Sequence, residues 1–234
     1  MKKKLHYEQL QKLYQELNHH LMNDTNPSKY LNSISTLPEF MEPPFKMLLV
    51  LKSTKQSPLY HPEGSVWNHT LLVIDEAAKR KAHSKNPTAF MWAALLHDVG
   101  KPVSTKLRKG KITSYEHEKV GATMAREFLS VFTNDTSFID HVCALVLYHM
   151  QMLFVINNLP FANIKEMQQN TDVLEIALLA LCDRVGRKGS NLNDEIKNME
   201  LFLHKCKENA VPTSTAFPLT TYKEADTTEQ HPLY

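Results

Sequence analysis

The stretch that decides the fold is Leu96-His97-Asp98-Val99-Gly100-Lys101-Pro102, which lies at the end of an apolar run. Its histidine and aspartate offer an imidazole and a carboxylate as metal ligands, with no residue between them. The glycine relieves the backbone just after this pair, and the lysine adds a cation beside the same position. This local pattern favours a metal-dependent hydrolase that acts on phosphate, and it requires further ligands from elsewhere in the chain.

Composition favours a soluble globular protein in a reducing compartment. The 234 residues are 42% hydrophobic and 22% charged, and a net charge of +2 neither favours nor excludes a nucleic-acid partner. Cys143, Cys182 and Cys206 are widely separated and form no zinc or disulfide pattern, so we expect a cytoplasmic protein. The basic start, Met1-Lys2-Lys3-Lys4, is followed by polar residues, and the sequence shows no apolar run of 18 residues. We therefore expect neither a secretion signal nor a membrane span.

Apolar residues recur three and four positions apart rather than alternately, which predicts an all-α fold. A first helix carries Leu5, Leu10, Leu13 and Leu17. The other predicted helices cover residues 45–52, 66–83, 90–97, 115–132, 136–153, 172–187 and 191–207. The proline- and threonine-containing end lacks periodicity. The predicted organisation has a helical segment packing on the core, a main domain and an extended or disordered tail, at 1–36, 37–208 and 209–234.

Four candidate metal ligands lie in apolar helical segments. His69 follows Val66-Trp67-Asn68, the pair His97 and Asp98 closes one apolar run, and Asp183 closes another. Burying a carboxylate without a partner costs several kcal/mol, and a metal ion offsets that cost. Each residue alone is more often a hydrogen-bonded core histidine or a helix cap. Their order along the chain, His, His-Asp and Asp, is hard to explain as separate coincidences.

That order resembles the H…HD…D signature of the HD-domain phosphohydrolase superfamily. The match extends over about residues 37–190 and resembles in particular the HD domain of bacterial tRNA nucleotidyltransferases, with similar segments in stand-alone HDIG-type proteins. The segments that carry it are Leu37-Pro38-Glu39, His61-Pro62-Glu63-Gly64-Ser65-Val66-Trp67-Asn68-His69-Thr70, His97-Asp98-Val99-Gly100-Lys101-Pro102, His117-Glu118-Lys119-Val120-Gly121-Ala122 and Asp183-Arg184-Val185-Gly186-Arg187. The nucleotidyltransferase head, with its paired catalytic aspartates, has no counterpart here. CCA addition to tRNA is therefore not implied.

The resemblance implies an HD-domain helical bundle in which four side chains converge on one metal ion. These are His69, His97, Asp98 and Asp183. In two-metal members of the superfamily, histidines between the HD pair and the last aspartate bind a second ion, and the motif aspartate bridges both. Carried over, Asp98 bridges while His117 and His149 complete the second site. The alternative is a single ion, with these two histidines hydrogen-bonded to the substrate phosphate.

Two further histidines receive other roles. We expect His61 at a loop surface, although it could reach the pocket. His141 lies eight residues before His149 and is interpreted as a structural or supporting residue.

The expected cofactor follows from the ligand set. Imidazoles mixed with carboxylates suit Mn, Fe, Co, Ni or Zn better than Mg, so we expect one or two divalent transition-metal ions. The predicted catalytic residues are Asp98 and Lys101, the latter neutralising charge on the phosphoryl oxygens. Arg184 and Arg187 are candidates for the same contact with substrate, and a solvated helix end is the competing interpretation. Cys143 and Cys182 are interpreted as core residues rather than nucleophiles.

The predicted function is hydrolysis of a phosphomonoester or phosphodiester in a small nucleotide-like substrate, with an RNA end as a further possibility and no membrane partner. Four basic residues, Lys106, Arg108, Lys109 and Lys111, would attract such a polyanion or form a solvated loop. Two other functions remain open. One is a di-iron HD-type oxygenase, and the other is a nucleotide-sensing binding protein that retains the metal pocket.

Overall fold

The computed structural model describes residues 2–209, with side chains from residue 6 onward. Beyond Asn209, the predicted tail lies outside the described residues. The α-helices are α1 Lys2–Asn23, α2 Pro27–Ile34, α3 Lys46–Leu49, α4 Val66–Arg80, α5 Pro87–Leu96, α6 Lys101–Ser104, α7 His117–Ser130, α8 Thr136–Tyr148, α9 Gln151–Ile156, α10 Ile164–Asn170, α11 Val173–Val185 and α12 Leu192–Glu208. Short 3₁₀ helices cover Pro38–Met41, Val50–Ser53 and Lys81–His83. The predicted all-α class is confirmed.

Helix α5 forms the centre of the bundle. Every residue from Ala89 to Leu96 is buried, because α1, α4, α8 and α11 all pack around this helix. Its start is fixed by Asn86, whose side chain accepts a hydrogen bond from the backbone N–H of Ala89, and by Pro87 in the first turn. A helix that is apolar all round is stable only inside a protein, so α5 carries the residues that follow it, His97 and Asp98, into the interior.

The first two helices pack against α4 and α5. Tyr14 of α1 stacks on Trp92, with ring centroids 4.8 Å apart, and the Trp92 indole N–H donates to Asn18 Oδ1 over 2.8 Å. From α2, Ser28 donates through its backbone N–H and its hydroxyl to the Asp75 carboxylate, at 3.0 and 2.6 Å. The division of the chain at residues 36 and 208 stays a prediction.

Several elements differ from the sequence-based expectation. A two-stranded antiparallel hairpin, β1 Lys106–Arg108 and β2 Lys111–Thr113, follows α6, where no strand was expected. Helices α2 and α10 were not predicted; both are short and begin after an asparagine. The predicted helix 136–153 is divided into α8 and α9 by a turn at residues 149–150. In that turn the His149 ring bonds the Val146 carbonyl oxygen, which a continuing helix offers to a backbone N–H.

One stretch of the described residues, Thr136–Ile156, is long and apolar enough to cross a membrane by length and composition. It comprises α8 and α9, which pack against α5, α7, α11 and α12. Just over half of the most apolar part of this stretch, 56%, is buried inside the protein. Because the core helix of a soluble protein has the same composition, this stretch is weak evidence for a membrane span.

Candidate metal centre

Helices α4 and α11 bring the first and last candidate ligands together. His69 lies in the first turn of α4, which begins at Ser65, whose hydroxyl accepts from the Asn68 backbone N–H. Asp183 lies near the C-terminal end of α11. A Cβ atom on Gly186 would lie 2.8 Å from Val73 Cγ2, so this glycine permits the close approach of the two helices. As a result, His69 Nε2 lies 2.9 Å from Asp183 Oδ1.

The turn after α5 packs against the start of α7. A Cβ atom on Gly100 would lie 2.1 Å from the His117 carbonyl oxygen and 2.6 Å from the Gly121 backbone nitrogen. Only a glycine fits there without moving backbone, so Gly100 sets how closely α7 approaches. This approach places His117 Nε2 3.3 Å from Asp98 Oδ1. His149, at the end of α8, has its Nε2 atom 3.9 Å from the same oxygen.

The candidate ligands form two triads that share Asp98. One contains His69, His97 and Asp98, and the other contains Asp98, His117 and His149. Within each triad the potential ligand atoms all lie within 4.8 Å of one another, and all five residues are buried. The Oδ2 atom of Asp98 faces His97 Nε2 at 3.2 Å, whereas its Oδ1 atom faces His117. The carboxylate thus presents one oxygen to each triad.

Three of the histidine rings are oriented by backbone carbonyl groups. His97 Nδ1 bonds the Ala94 oxygen at 2.9 Å, His117 Nδ1 bonds the Ser114 oxygen at 2.7 Å, and His149 Nδ1 bonds the Val146 oxygen at 2.7 Å. A carbonyl oxygen only accepts, so each Nδ1 carries the proton and each neutral ring has its lone pair on Nε2. All three Nε2 atoms therefore face the cluster as potential ligands.

The residues fit a bound cation. His117 Nε2 and His149 Nε2 lie 3.2 Å apart, which places two lone pairs against each other in the neutral rings. His97 Nε2 and Asp98 Oδ2 are buried and make no hydrogen bond of acceptable geometry, although both lie near charged groups. Buried polar atoms without hydrogen bonds are costly, and a cation would satisfy all of them. Imidazole and carboxylate donors together suit a transition-metal ion.

Neighbouring charged groups keep Asp98 and Asp183 ionised although both are buried. Burial acts to raise the pKa of Asp98, but the charges of His97 and Lys101 hold that pKa well below its usual value. Burial likewise opposes ionisation of Asp183, while Arg187 and His69 hold its pKa well below the usual value. Both carboxylates are therefore ionised and available as ligands at neutral pH.

The pKa values of His97 and His149 shift in opposite directions. Burial acts to lower the pKa of His97, but the Asp98 charge outweighs it and the pKa is raised. Burial lowers the pKa of His149 to about 3, helped by the cationic forms of His117 and His97. His149 is therefore neutral at physiological pH, as a metal-ligating imidazole must be.

Lys101 lies inside the cluster rather than on the surface. Its Nζ atom is 2.7 Å from Asp98 Oδ2 and donates to Gln56 Oε1, also over 2.7 Å. Both Lys101 and Gln56 are more than nine-tenths buried. The ammonium group is thus fixed next to the shared carboxylate.

The two arginines of α11 and the turn after it have different partners. Arg187 donates from Nη2 to both oxygens of Asp183, at 3.1 and 2.9 Å. Arg184 instead pairs with Glu195 of α12. Arg187 therefore lies at the edge of the cluster, whereas Arg184 is held away from it by an ion pair between helices.

Two side chains of the loop before α4 contact His69, and sequence reasoning assigned neither of them to the site. Glu63 Oε1 lies 3.0 Å from His69 Nδ1 and 2.8 Å from His61 Nδ1. His61, expected at a loop surface, is half-buried, with its ring 4.8 Å from that of His69. The only sequence signal for this contact was the position of His61 and Glu63 shortly before His69.

Other predicted residues lie outside the two triads. His141 is half-buried on α8, with Nδ1 3.5 Å from Asn86 Nδ2 at the start of α5. The three cysteines are free and buried. Burial raises the pKa of Cys182 and of Cys206 to about 12, and it also raises the pKa of Cys143. Thiols with raised pKa values are poor nucleophiles.

The family model of the HD domain matches residues 66–187, just over half of the chain. The chain belongs to the HD-domain family. HD domains form a superfamily of metal-dependent phosphohydrolases that bind divalent metal ions. The four residues His69, His97, Asp98 and Asp183 all fall inside the matched range.

Curated relatives of this HD-domain chain are multifunctional CCA proteins. The chain is 38% identical over 90 residues to that of Actinobacillus pleuropneumoniae serotype 5b, which covers 38% of the chain and 21% of the relative. It is 46% identical over 46 residues to that of Haemophilus ducreyi, covering 20% of the chain and 11% of the relative. The chain thus matches about a fifth or less of these relatives' length. The expected resemblance to the HD domain of tRNA nucleotidyltransferases is confirmed.

Proposed function

We propose that this HD-domain chain hydrolyses a phosphomonoester or phosphodiester bond of a nucleotide-like substrate. The observation that carries the proposal is the shared carboxylate, since Asp98 presents one oxygen to each of two buried triads. His69, His97 and Asp183 would hold one divalent transition-metal ion, and His117 and His149 would hold a second. Bound metal of this kind lowers the pKa of a water molecule and so supplies hydroxide at neutral pH.

The chain's own residues would bind and orient the substrate phosphate. Lys101 Nζ, held by Gln56, faces the shared carboxylate and would donate to a phosphoryl oxygen. Its positive charge is fixed before substrate arrives, so it stabilises developing negative charge without reorganisation. Arg187, at the edge of the cluster, would neutralise Asp183 and could turn toward the phosphate. We assign Arg184 a lesser part, because Glu195 already holds it.

The preferred substrate class is a nucleotide or an RNA end. The resemblance to the HD domain of tRNA nucleotidyltransferases supports this class. The hairpin also supports it, because Lys106, Arg108, Lys109 and Lys111 are all exposed on it. The hairpin is tied to the site, since Thr105 and Ser114 are joined by a hydroxyl hydrogen bond of 2.7 Å and the Ser114 carbonyl orients His117. We also propose a cytoplasmic location, because the described cysteines are free thiols.

The test is elemental analysis followed by a screen of phosphate esters with metal restored. We expect Mn- or Ni-dependent release of phosphate, or cleavage of a nucleotide phosphodiester or cyclic phosphate, that chelation abolishes. Iron with oxygen-dependent turnover would instead show an oxygenase. Tight nucleotide binding with no hydrolysis in any metal would show a sensing protein.

A further inference from the structure

The Glu63 carboxylate is buried against the side of His69 that faces away from the triads. Its Oε1 atom lies 3.0 Å from His69 Nδ1 and 2.8 Å from His61 Nδ1, and its side chain is 3% exposed. Its Oε2 atom accepts from the Lys188 backbone N–H over 3.3 Å. The loop that carries it is closed by an antiparallel bridge between Lys55 and Ser65. Glu63 is therefore a fixed acceptor rather than a mobile surface carboxylate.

His69 differs from the other three histidines in what its Nδ1 atom faces. The Nδ1 atoms of His97, His117 and His149 bond backbone carbonyl oxygens three residues earlier. His69 Nδ1 instead faces a carboxylate, in a 3.0 Å contact without hydrogen-bond geometry. Its Nε2 atom hydrogen-bonds Asp183 Oδ1 over 2.9 Å and lies 3.9 Å from Asp98 Oδ2. A metal ion on Nε2 would take the place of that hydrogen bond and leave the ring proton on Nδ1, toward Glu63. A carboxylate accepts a hydrogen bond more strongly than a neutral carbonyl does, and it makes the imidazole a more basic ligand.

We propose that Glu63 is a positioning residue that holds His69 with its proton on Nδ1 and its Nε2 lone pair toward the metal ion. The same oxygen accepts from His61 and so fixes that ring beside His69. This inference rests on the proposed metal centre and adds a residue to it. It also explains why a carboxylate is buried in this loop, on the side of His69 opposite to Asp98 and Asp183.

A direct ligand role for Glu63 has a geometric objection. Nδ1 and Nε2 lie on opposite edges of one imidazole ring, so an ion on the Nε2 side is shielded from Glu63 by the ring itself. His61, Glu63 and His69 Nδ1 are nevertheless close enough to one another to form a separate triad. Positioning and direct ligation differ in the number of ions bound, which a titration measures.

The test uses Zn²⁺ as the probe and Glu63→Gln as the variant, with Glu118→Gln as the matched control. Glu118 is the appropriate control because its Oε2 atom lies 3.6 Å from His117 Nδ1, whose proton already has the Ser114 carbonyl as acceptor. Competition with a chromophoric chelator gives the affinity. We expect Zn²⁺ to bind about 10- to 100-fold more weakly to Glu63→Gln, with unchanged stoichiometry, and within twofold of wild type to Glu118→Gln.

A second measurement needs no variant. Long-range ¹H–¹⁵N correlation spectra of the Zn²⁺-loaded wild-type protein report which nitrogen of each imidazole carries the proton and which binds the metal ion. We expect His69 to carry its proton on Nδ1; a predominant Nε2–H tautomer would overturn the proposal. Unchanged affinity in Glu63→Gln would also overturn it, as would the loss of one bound ion. Weaker Zn²⁺ binding together with no phosphate-ester hydrolysis would leave Glu63 as a positioning residue and remove the proposed function instead.

Discussion

The cluster around Asp98 and the hairpin after α6 both concentrate polar groups, but they do so in opposite ways. In the cluster, every ring and carboxylate is buried and each is held by a named partner. On the hairpin, Lys106, Lys109 and Lys111 are exposed, and among the described residues the structure gives none of them an ion-pair partner. Arg108 lies over the Tyr115 ring, 4.8 Å from its centroid.

This difference separates two kinds of chemistry. Buried groups act at short range in a low-dielectric setting, so a shift of a single ligand changes reactivity strongly. Exposed cations act through a field that salt screens, and they tolerate changes in position. We therefore expect cluster variants to lose function outright and hairpin variants to lose only salt-dependent affinity.

The largest effect is expected from removing the shared carboxylate or its neighbour. Asp98→Ala and His97→Ala should each lower turnover by at least about 10³-fold and abolish metal retention, because each removes a proposed ligand of the metal ion on which the proposed hydrolysis depends. The matched control is Asp140→Ala, since Asp140 is exposed and paired with Arg126 on the surface. Metal content by elemental analysis and initial rates check both. An active, metal-free Asp98→Ala protein would refute the assignment.

The next effect comes from the buried ammonium group. Lys101→Met should lower turnover by about 10²- to 10³-fold while metal stays bound, since it removes a fixed charge rather than a ligand. Lys119→Met is the control, because Lys119 is exposed and paired with Glu116. Turnover of Lys101→Met within threefold of wild type would mean that Lys101 only neutralises Asp98.

A backbone variant tests how strictly the cluster depends on position. Gly100→Ala would place a Cβ atom 2.1 Å from the His117 carbonyl oxygen, so α7 must move and carry His117 with it. A displacement of about 1 Å should cost on the order of 10²-fold in turnover. In the hairpin turn, Gly110 has φ +76° with open space around it. Gly110→Asn should leave mononucleotide hydrolysis unchanged, because asparagine tolerates this conformation. Equal losses of turnover in Gly100→Ala and Gly110→Asn would contradict the contrast between the position-sensitive cluster and the tolerant hairpin.

The pH dependence of the metal-free protein tests burial in the cluster. Burial lowers the pKa of His149 from its ordinary 6.5 to about 3, so the unfolded chain binds more protons than the folded chain between these two pH values. Stability therefore falls as pH falls through this window. His149→Gln should reduce that slope by up to about 1.4 kcal/mol per pH unit, whereas the exposed His204→Gln should not. Urea unfolding at several pH values measures how the free energy of unfolding changes with pH. Identical slopes in wild type and His149→Gln would contradict the lowered pKa of His149.

The smallest effect is expected on the hairpin. The triple variant Lys106→Gln, Lys109→Gln and Lys111→Gln should bind a short single-stranded RNA more weakly, with a shallower dependence of log K on log salt by up to about 0.7 for each lost contact. Hydrolysis of a mononucleotide should stay within twofold of wild type. A control with equal charge change is Lys29→Gln, Lys165→Gln and Lys207→Gln, all exposed elsewhere. Equal salt slopes in the two triple variants would show that the hairpin is only a solvated loop.

Sequence reasoning reached the all-α class because the recurrence of apolar residues three and four positions apart is a local signal. It also selected His69, His97 and Asp98, because imidazoles and carboxylates inside apolar helical segments are conspicuous, whereas His117 and His149 were proposed as ligands from the resemblance to two-metal HD domains. Tertiary contacts were less accessible. Gln56 accepts a hydrogen bond from Lys101, which lies 45 positions away in the chain, and neither residue type predicts the other as its partner.

Local structure that depends on a few residues was also missed. The hairpin has strands of three residues each, too short for an alternating pattern to be visible. The break between α8 and α9 falls inside one apolar run, and it depends on the hydrogen bond from the His149 ring to the Val146 carbonyl. Glu63 lies in a loop two residues after His61, so only the folded geometry shows that its carboxylate faces His69.

The most direct test of the central claim is the number of metal ions that the buried cluster holds. Metal-free protein is loaded with Mn²⁺, freed of excess metal and measured by elemental analysis, in wild-type and His149→Gln forms. Two triads sharing Asp98 predict two ions per wild-type chain, with one lost in His149→Gln and chelator-sensitive phosphate-ester hydrolysis in the wild type. A wild-type chain that retains one ion or none, or that hydrolyses phosphate esters equally well without metal, would contradict the account.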